Sequence, residues 1–244
     1  MIELINVTKV YGKDKVAVDD VTLTINDGEI FGFLGPNGAG KTTAIKMITG
    51  ITPLTAGDIL IDGKSIVRDA LEAKQLFGLV PDDPNVLLRL KGIEYLNFIA
   101  TVYDVPKDAR DERIKKLAKK FNLSNDLGNR IETYSHGMRQ KLLVIGVLLH
   151  DPNNWILDEP MTGLDPHSSF VMKEMMREHA DNGNTVFFST HVLEVAEKVC
   201  DRIGIIAKGK ILFVGTVPEL REFLHADESD KSLEQLFLEL VGDE

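Results

Sequence analysis

The stretch Gly35-Pro36-Asn37-Gly38-Ala39-Gly40-Lys41-Thr42-Thr43 decides how the rest of the chain is read. It fits G-x-x-x-x-G-K-[ST], the phosphate-binding P-loop. Phosphates are anionic and need many donors at short range. Gly35, Gly38 and Gly40 let the backbone bend and bring its N–H groups close, with no Cβ in the way. Lys41 reaches the β- and γ-phosphates as a point charge. The Thr42 hydroxyl suits Mg²⁺, which takes few protein ligands and keeps several waters. Glu29 to Leu34 reads as a buried strand before the loop, and Thr43 to Ile48 as a helix after it. That context puts the phosphates at a helix N-terminus and argues against an accidental Gly-rich turn. The spacing predicts nucleotide binding and leaves open what the energy drives.

Composition narrows the classes. The net charge of −10 argues against a nucleic-acid grip as the main task. Much of the excess acid lies near the end, at Asp227, Glu228, Asp230, Glu234, Glu239, Asp243 and Glu244, and reads as a solvated face. Cys200 is the only cysteine, which excludes an intramolecular disulfide and fits a reducing compartment. At an apolar-patterned helix end, it reads as buried filler. Met1-Ile2-Glu3-Leu4 begins a strand-like alternation, so no signal peptide is expected. The longest apolar run, Leu142 to Leu149, falls far short of the roughly 20 residues of a membrane span. If the protein works at a membrane, another chain must cross it.

Outward from the P-loop, Ile2 to Val10 and Val16 to Ile25 alternate as half-buried strands. Gly57 to Gly63 and Leu76 to Val80 read as further strands. The pattern changes at Pro81. Helices are predicted from Ile93 to Tyr103, after Pro106 with Ile114, Leu117, Ala118 and Phe121 on one face, and from Arg139 to Leu149. Strands return at Trp155-Ile156-Leu157, Thr185 to Phe188 and Ile203 to Ile206, with a helix from about His167 to Ala180 between them. This alternation implies a parallel sheet covered by helices, with a helical insertion. Lys208-Gly209 signals a hairpin. Leu233, Leu236, Phe237 and Leu240 are spaced for a closing amphipathic helix.

A second half of a catalytic site follows. Asp158-Glu159 ends a buried strand, where αβ folds place ligands. Asp158 suits Mg²⁺, and Glu159 suits polarisation of an attacking water. An ordinary surface turn is the competing reading, weakened by the P-loop. His191 follows a strand at Ser189-Thr190 and suits a hydrogen bond to the γ-phosphate. Ser135 is a plausible N-cap for the helix after it, and taken alone a capped helix explains it.

Taken together, the P-loop, Tyr134-Ser135-His136-Gly137-Met138, Leu157-Asp158-Glu159-Pro160, Gly163-Leu164-Asp165 and Ser189-Thr190-His191 resemble the nucleotide-binding domain of an ATP-binding cassette (ABC) transporter, over essentially the whole chain. The resemblance implies an α/β fold. It would be a P-loop NTPase core with a mostly parallel sheet, an N-terminal antiparallel β subdomain and an inserted helical subdomain. The expected division is 1–85 for the first part of the core, 86–150 for the helical subdomain, 151–222 for the second part and 223–244 for an acidic C-terminal helix. It implies that Gly35 to Thr43 is the Walker A loop and Asp158-Glu159 the end of Walker B. Ser135, His136, Gly137 and Met138 lie in the signature motif, Asp165 in the D-loop, and His191 is the switch histidine. Tyr11 matches the aromatic that stacks on adenine, although packing would explain it equally.

The implied cofactors are ATP and Mg²⁺. The implied partners are a separate transmembrane permease and a second, identical nucleotide-binding domain, paired head to tail so that each signature completes the other's phosphate cage. The implied location is the cytoplasmic face of the cell membrane, and the variant signature resembles exporter-like single-cassette subunits. The usual pattern is departed from at two places. His136 and Met138 replace Gly and Gln, and Asp82 stands where the family has Gln. A carboxylate can bind Mg²⁺ but cannot donate as an amide does. Val86, Leu87, Leu88 and Leu90 either line the permease-docking groove or belong to the subdomain core. The rival classes are a soluble cassette ATPase acting on a nucleic-acid or protein assembly and a P-loop phosphotransferase.

Overall fold

The computed structural model of the chain describes residues 1–224 and 232–242. Of the acidic residues near the end, Asp227, Glu228, Asp230, Asp243 and Glu244 lie outside them. In order, the elements are β1 (Ile2–Tyr11), β2 (Lys15–Ile25), β3 (Ile30–Leu34), α1 (Lys41–Ile48), β4 (Ala56–Ile61), β5 (Lys64–Ser65), α2 (Ala70–Gln75) and β6 (Phe77–Val80). Then come α3 (Gly92–Val102), α4 (Lys107–Lys120), α5 (His136–His150), β7 (Asn154–Asp158), α6 (Pro166–Asp181), β8 (Thr185–Thr190) and α7 (Leu193–Val199). The chain continues through β9 (Arg202–Ala207), β10 (Lys210–Gly215), α8 (Val217–Phe223) and α9 (Leu233–Gly242).

Two sheets form. The smaller has the order β2-β1-β4-β5, with antiparallel neighbours. The larger has the order β10-β9-β3-β8-β7-β6, and all its pairs but β10–β9 are parallel. Strands β3, β7 and β8 are continuously buried because both faces of the large sheet are covered. Their side chains alternate between two cores. Ile30, Trp155, Leu157, Val186 and Phe188 pack with α3, α4, α5 and α6. Phe31, Phe33, Ile156 and Phe187 pack with α1 and the small sheet. Phe187 is fully buried, 5.5 Å from the Phe33 ring and 6.2 Å from that of Phe31. Phe187→Ala is expected to cost about 3–5 kcal/mol, read as a fall in the urea midpoint at unchanged m-value.

Several local expectations change. The helix predicted from Arg139 begins three residues earlier, at His136, because the Ser135 hydroxyl accepts from the Met138 N–H at 3.3 Å and starts the first turn. Its polar opening carries no apolar period, so periodicity places the start too late. Pro106 sits just before α4, at its cap. Helices α2 and α8 are six and seven residues long, too short for a period to register. Cys200 is half-buried as a residue, but its thiol is enclosed against the Cα of Gly32, and burial pushes its pKa up. Val86, Leu88 and Leu90 pack partly against the helical core, whereas Leu87 is exposed. The turn at Lys208-Gly209 has both residues at positive φ, 46° and 81°, as a type I′ hairpin requires.

Candidate functional site

Parallel pairing explains the site. Strands β6, β7, β8 and β3 end on the same edge of the sheet, with Val80 opposite Leu157, Asp158 opposite Ser189 and Leu34 opposite Thr190. The loops that follow these strands therefore meet. They form a cleft of about 410 Å³ lined by Pro36, Asn37, Gly38, Gly40, Lys41, Thr42, Thr43, Asp82, Glu159 and His191. Gly35 and Ala39 lie beneath the loop. A Cβ at Gly35 would strike the Ile206 carbonyl, and Ala39 is buried. Gly40 precedes α1 at φ 115°, and a Cβ there would come within 2.6 Å of the Ala17 carbonyl oxygen. With no side chain at that position, the first N–H groups of α1 receive no side-chain cap from it.

Lys41 is buried, and its ammonium donates to the carbonyls of Gly35 at 2.6 Å and Pro36 at 3.3 Å. Burial lowers its pKa, opposed by the carboxylates of Glu159 and Asp158. Asp158 is also buried. Burial raises its pKa, and the neighbouring charges of Asp82 and Glu159 push the same way, while the hydroxyls of Ser189 and Thr42 pull it down. Glu159 has a left-handed backbone, φ 50°. Its side chain is 14% exposed and lies 3.0 Å from Nδ1 of His191, which is 58% exposed. The Thr190 hydroxyl accepts from the Val192 N–H at 3.0 Å and shapes the loop that carries His191.

Tyr11 ends β1 at the cleft mouth, 40% exposed, with the Lys9 ammonium 5.0 Å from its ring centroid, so it is not core packing. Lys15, Val16 and Ala17 beside it, and Thr162, also line the cleft and were not singled out by sequence. The antiparallel pairing of Tyr11 with Lys15 across the Gly12 turn brings the first three beside Tyr11. For Thr162, local spacing carries no signal.

Ser135, His136, Gly137, Met138 and Asp165 are not among the cleft-lining residues. They gather at a second place. Gly137 packs on the Gly163 carbonyl, and the His136 ring lies over Gly163, where a Cβ would clash with it. Asp165 caps α6, accepting from the Ser168 N–H at 2.9 Å, and pairs with the Lys141 ammonium at 2.6 Å. Lys141 and that N–H hold its carboxyl well below the usual range. Arg139 in α5 donates to the Asn85 amide oxygen, beyond Asp82, and to the Ile131 and Glu132 carbonyls at 3.1 and 2.9 Å.

Among the described residues, no three His, Cys, Asp or Glu side chains converge as a self-sufficient metal cage. The Thr42 hydroxyl beside the Asp158 carboxylate is instead the sparse donor set that suits Mg²⁺ shared with phosphates. No helix among the described residues is long and apolar enough to cross a membrane.

Residues 18–162 match the ABC transporter family. YhcH, an ABC transporter ATP-binding protein of Bacillus subtilis, is 38% identical over 220 residues, 90% of this chain and 71% of that one. The linearmycin resistance ATP-binding protein LnrL of the same organism is 35% identical over 227 residues, 93% of this chain and 73% of that one. A solved ATP-binding subunit of an ABC transporter superposes with a TM-score of 0.93 at 30% identity, covering 98% of each chain. The chain therefore belongs to the ABC transporter family, as one of its ATP-binding, ATP-hydrolysing cassettes.

Proposed function

We propose that this cassette drives an exporter, held at the inner face of the cell membrane by a separate permease and working as a head-to-tail homodimer. The observation that carries the site assignment is that Lys41, at the start of α1, and Asp82, Glu159 and His191, after β6, β7 and β8, open on one cleft. The adenine stacks on Tyr11. Lys41 and the N–H groups from Gly38 to Thr43 hold the β- and γ-phosphates. Thr42 and Asp158 would hold Mg²⁺, and Asp82 would add a further carboxylate where an amide is usual. When bound, the ion would offset the charge that develops on the phosphate oxygens. Glu159 orients the attacking water and takes its proton. As the new P–O bond forms, the bond from the γ-phosphorus to the bridging oxygen breaks, and ADP leaves with that electron pair. His191, steadied by Glu159, donates to a γ-phosphate oxygen.

Ser135, His136, Gly137 and Met138 of the second copy close the cage through the N-terminus of its α5. Asp165 places the D-loop beside them. The division at 86–150 is that of a helical subdomain which carries this signature toward the partner's ATP. The resistance protein among the relatives supports an exporter rather than an importer. A soluble cassette acting on nucleic acid fits less well with the net charge of −10.

The test is a pull-down of tagged Glu159→Gln chain from mildly solubilised membranes of its host, with ATP present. A stoichiometric polytopic membrane protein is expected. Recovery only from the soluble fraction, with ribosomes or nucleic acid, overturns the transporter reading.

A further inference from the structure

We propose that Ser189 is a positioning residue for both acidic residues of the cleft, an inference that rests on the roles proposed for Asp158 and Glu159. Ser189 is completely buried. Its hydroxyl donates to Asp158 Oδ1 at 2.6 Å and accepts from the Glu159 N–H at 3.2 Å. One hydroxyl thus uses its single proton on the first residue and a lone pair on the second. Both bonds follow from the register of two parallel strands, which sets Asp158 opposite Ser189.

Each bond acts on a group that has no easy alternative. Asp158 is buried at the end of β7, where few side chains can reach its carboxylate. A hydroxyl that donates to one carboxylate oxygen fixes the orientation of the group and leaves the other oxygen available to a cation. Glu159 has φ 50°, a left-handed conformation that L-residues adopt only where neighbours impose it. The bond to its N–H holds the peptide that aims its side chain. Two residues further on, the same strand end supplies His191, 3.0 Å from the Glu159 carboxylate. Strand β8 therefore grips the Asp158-Glu159 pair at backbone and side chain, and Ser189 is the inner contact.

Three measurements on Ser189→Ala test this, with Ser189→Thr as the variant that keeps the hydroxyl. Turnover is expected to fall about 10–100-fold with KM for ATP within about twofold, as for other outer-shell partners of a metal site. Mg²⁺ titrated into the protein–ADP complex by calorimetry is expected to bind about tenfold more weakly. Binding of ADP in EDTA is expected to be unchanged, and Ser189→Thr to recover most of the metal affinity. If Ser189→Ala aggregates, Ser189→Cys, nearly isosteric but a weak donor, is expected to give the same weakened Mg²⁺ titration. Unchanged Mg²⁺ affinity and turnover overturn the proposal. So does a loss of turnover that tracks thermal stability and metal-free ADP binding while the Mg²⁺ titration stays put. The parent reading fails separately: its sign is undiminished turnover in Glu159→Gln. A wild-type Ser189→Ala beside an inactive Glu159→Gln removes only the positioning role.

Discussion

Glu159→Gln is expected to leave ATP binding within about threefold of the parent and to cut turnover by about 10³-fold, the middle-to-upper range for loss of a general base. The amide matches the carboxylate in shape and keeps an oxygen toward Nδ1 of His191, so the loop has no reason to move. What it loses is the ability to take a proton from water. The carboxylate is well placed for that task. It is 14% exposed, screened from bulk water yet on the cleft wall, and the left-handed backbone at φ 50° turns it toward the phosphate site. With hydrolysis blocked, ATP persists, and whatever state binds it best accumulates by mass action. If two cassettes share each ATP, that state is a dimer. Phosphate release under saturating ATP, together with equilibrium binding of a fluorescent nucleotide, checks both halves. Turnover within tenfold of the parent removes Glu159 from the proposed role.

Lys41→Ala is expected to act at the other end of the cycle and weaken nucleotide binding by about 10²-fold or more. A hydrogen bond to a charged group contributes about 1.5–3 kcal/mol, and each 1.4 kcal/mol is a factor of ten. The ammonium is buried and within reach of two phosphate groups in the proposed complex. Its removal also changes the field of the cleft. Lys41 is the cation that faces Asp158 and Glu159, and without it those carboxylates repel an incoming anion unopposed by a charge at that point. The carbonyls of Gly35 and Pro36 lose their donor as well, so some loss of thermal stability is expected. Equilibrium binding of a fluorescent ATP analogue with Mg²⁺ separates this variant from Glu159→Gln, which retains binding. An affinity loss below threefold overturns the assignment of Lys41.

The parts of this molecule that could be read from sequence are those whose chemistry is local. The P-loop is nine consecutive residues whose glycines, lysine and threonine have no common alternative use at that spacing. The strand before it and the helix after it show in a buried run and an apolar period. Asp158-Glu159 is legible as a polar pair that stops an apolar strand. Ser135 is legible as a cap and Lys208-Gly209 as a hairpin turn, because backbone geometry at those points depends on the residue itself. The short helices α2 and α8 carry no such mark, since one or two turns define no period.

Other parts depend on which strand lies beside which. Ser189 meets Asp158 across 31 positions of sequence, Lys141 meets Asp165 across 24, and Arg139 meets Asn85 across 54. None of these pairs has a spacing that marks it. They exist because β8 inserts between β3 and β7 and because α5 packs over the same edge of the sheet. The amino-acid sequence by itself determined the phosphate loop, the acidic pair and the class of fold, each through residue types that act on their immediate neighbours. Only the tertiary structure decided that the phosphate loop and Glu159 line one cleft, with Asp158 buried against Ser189, while the signature residues gather beside the D-loop. Strand order and register are set by burial summed over both faces of the sheet, a property of the whole chain that no short stretch carries.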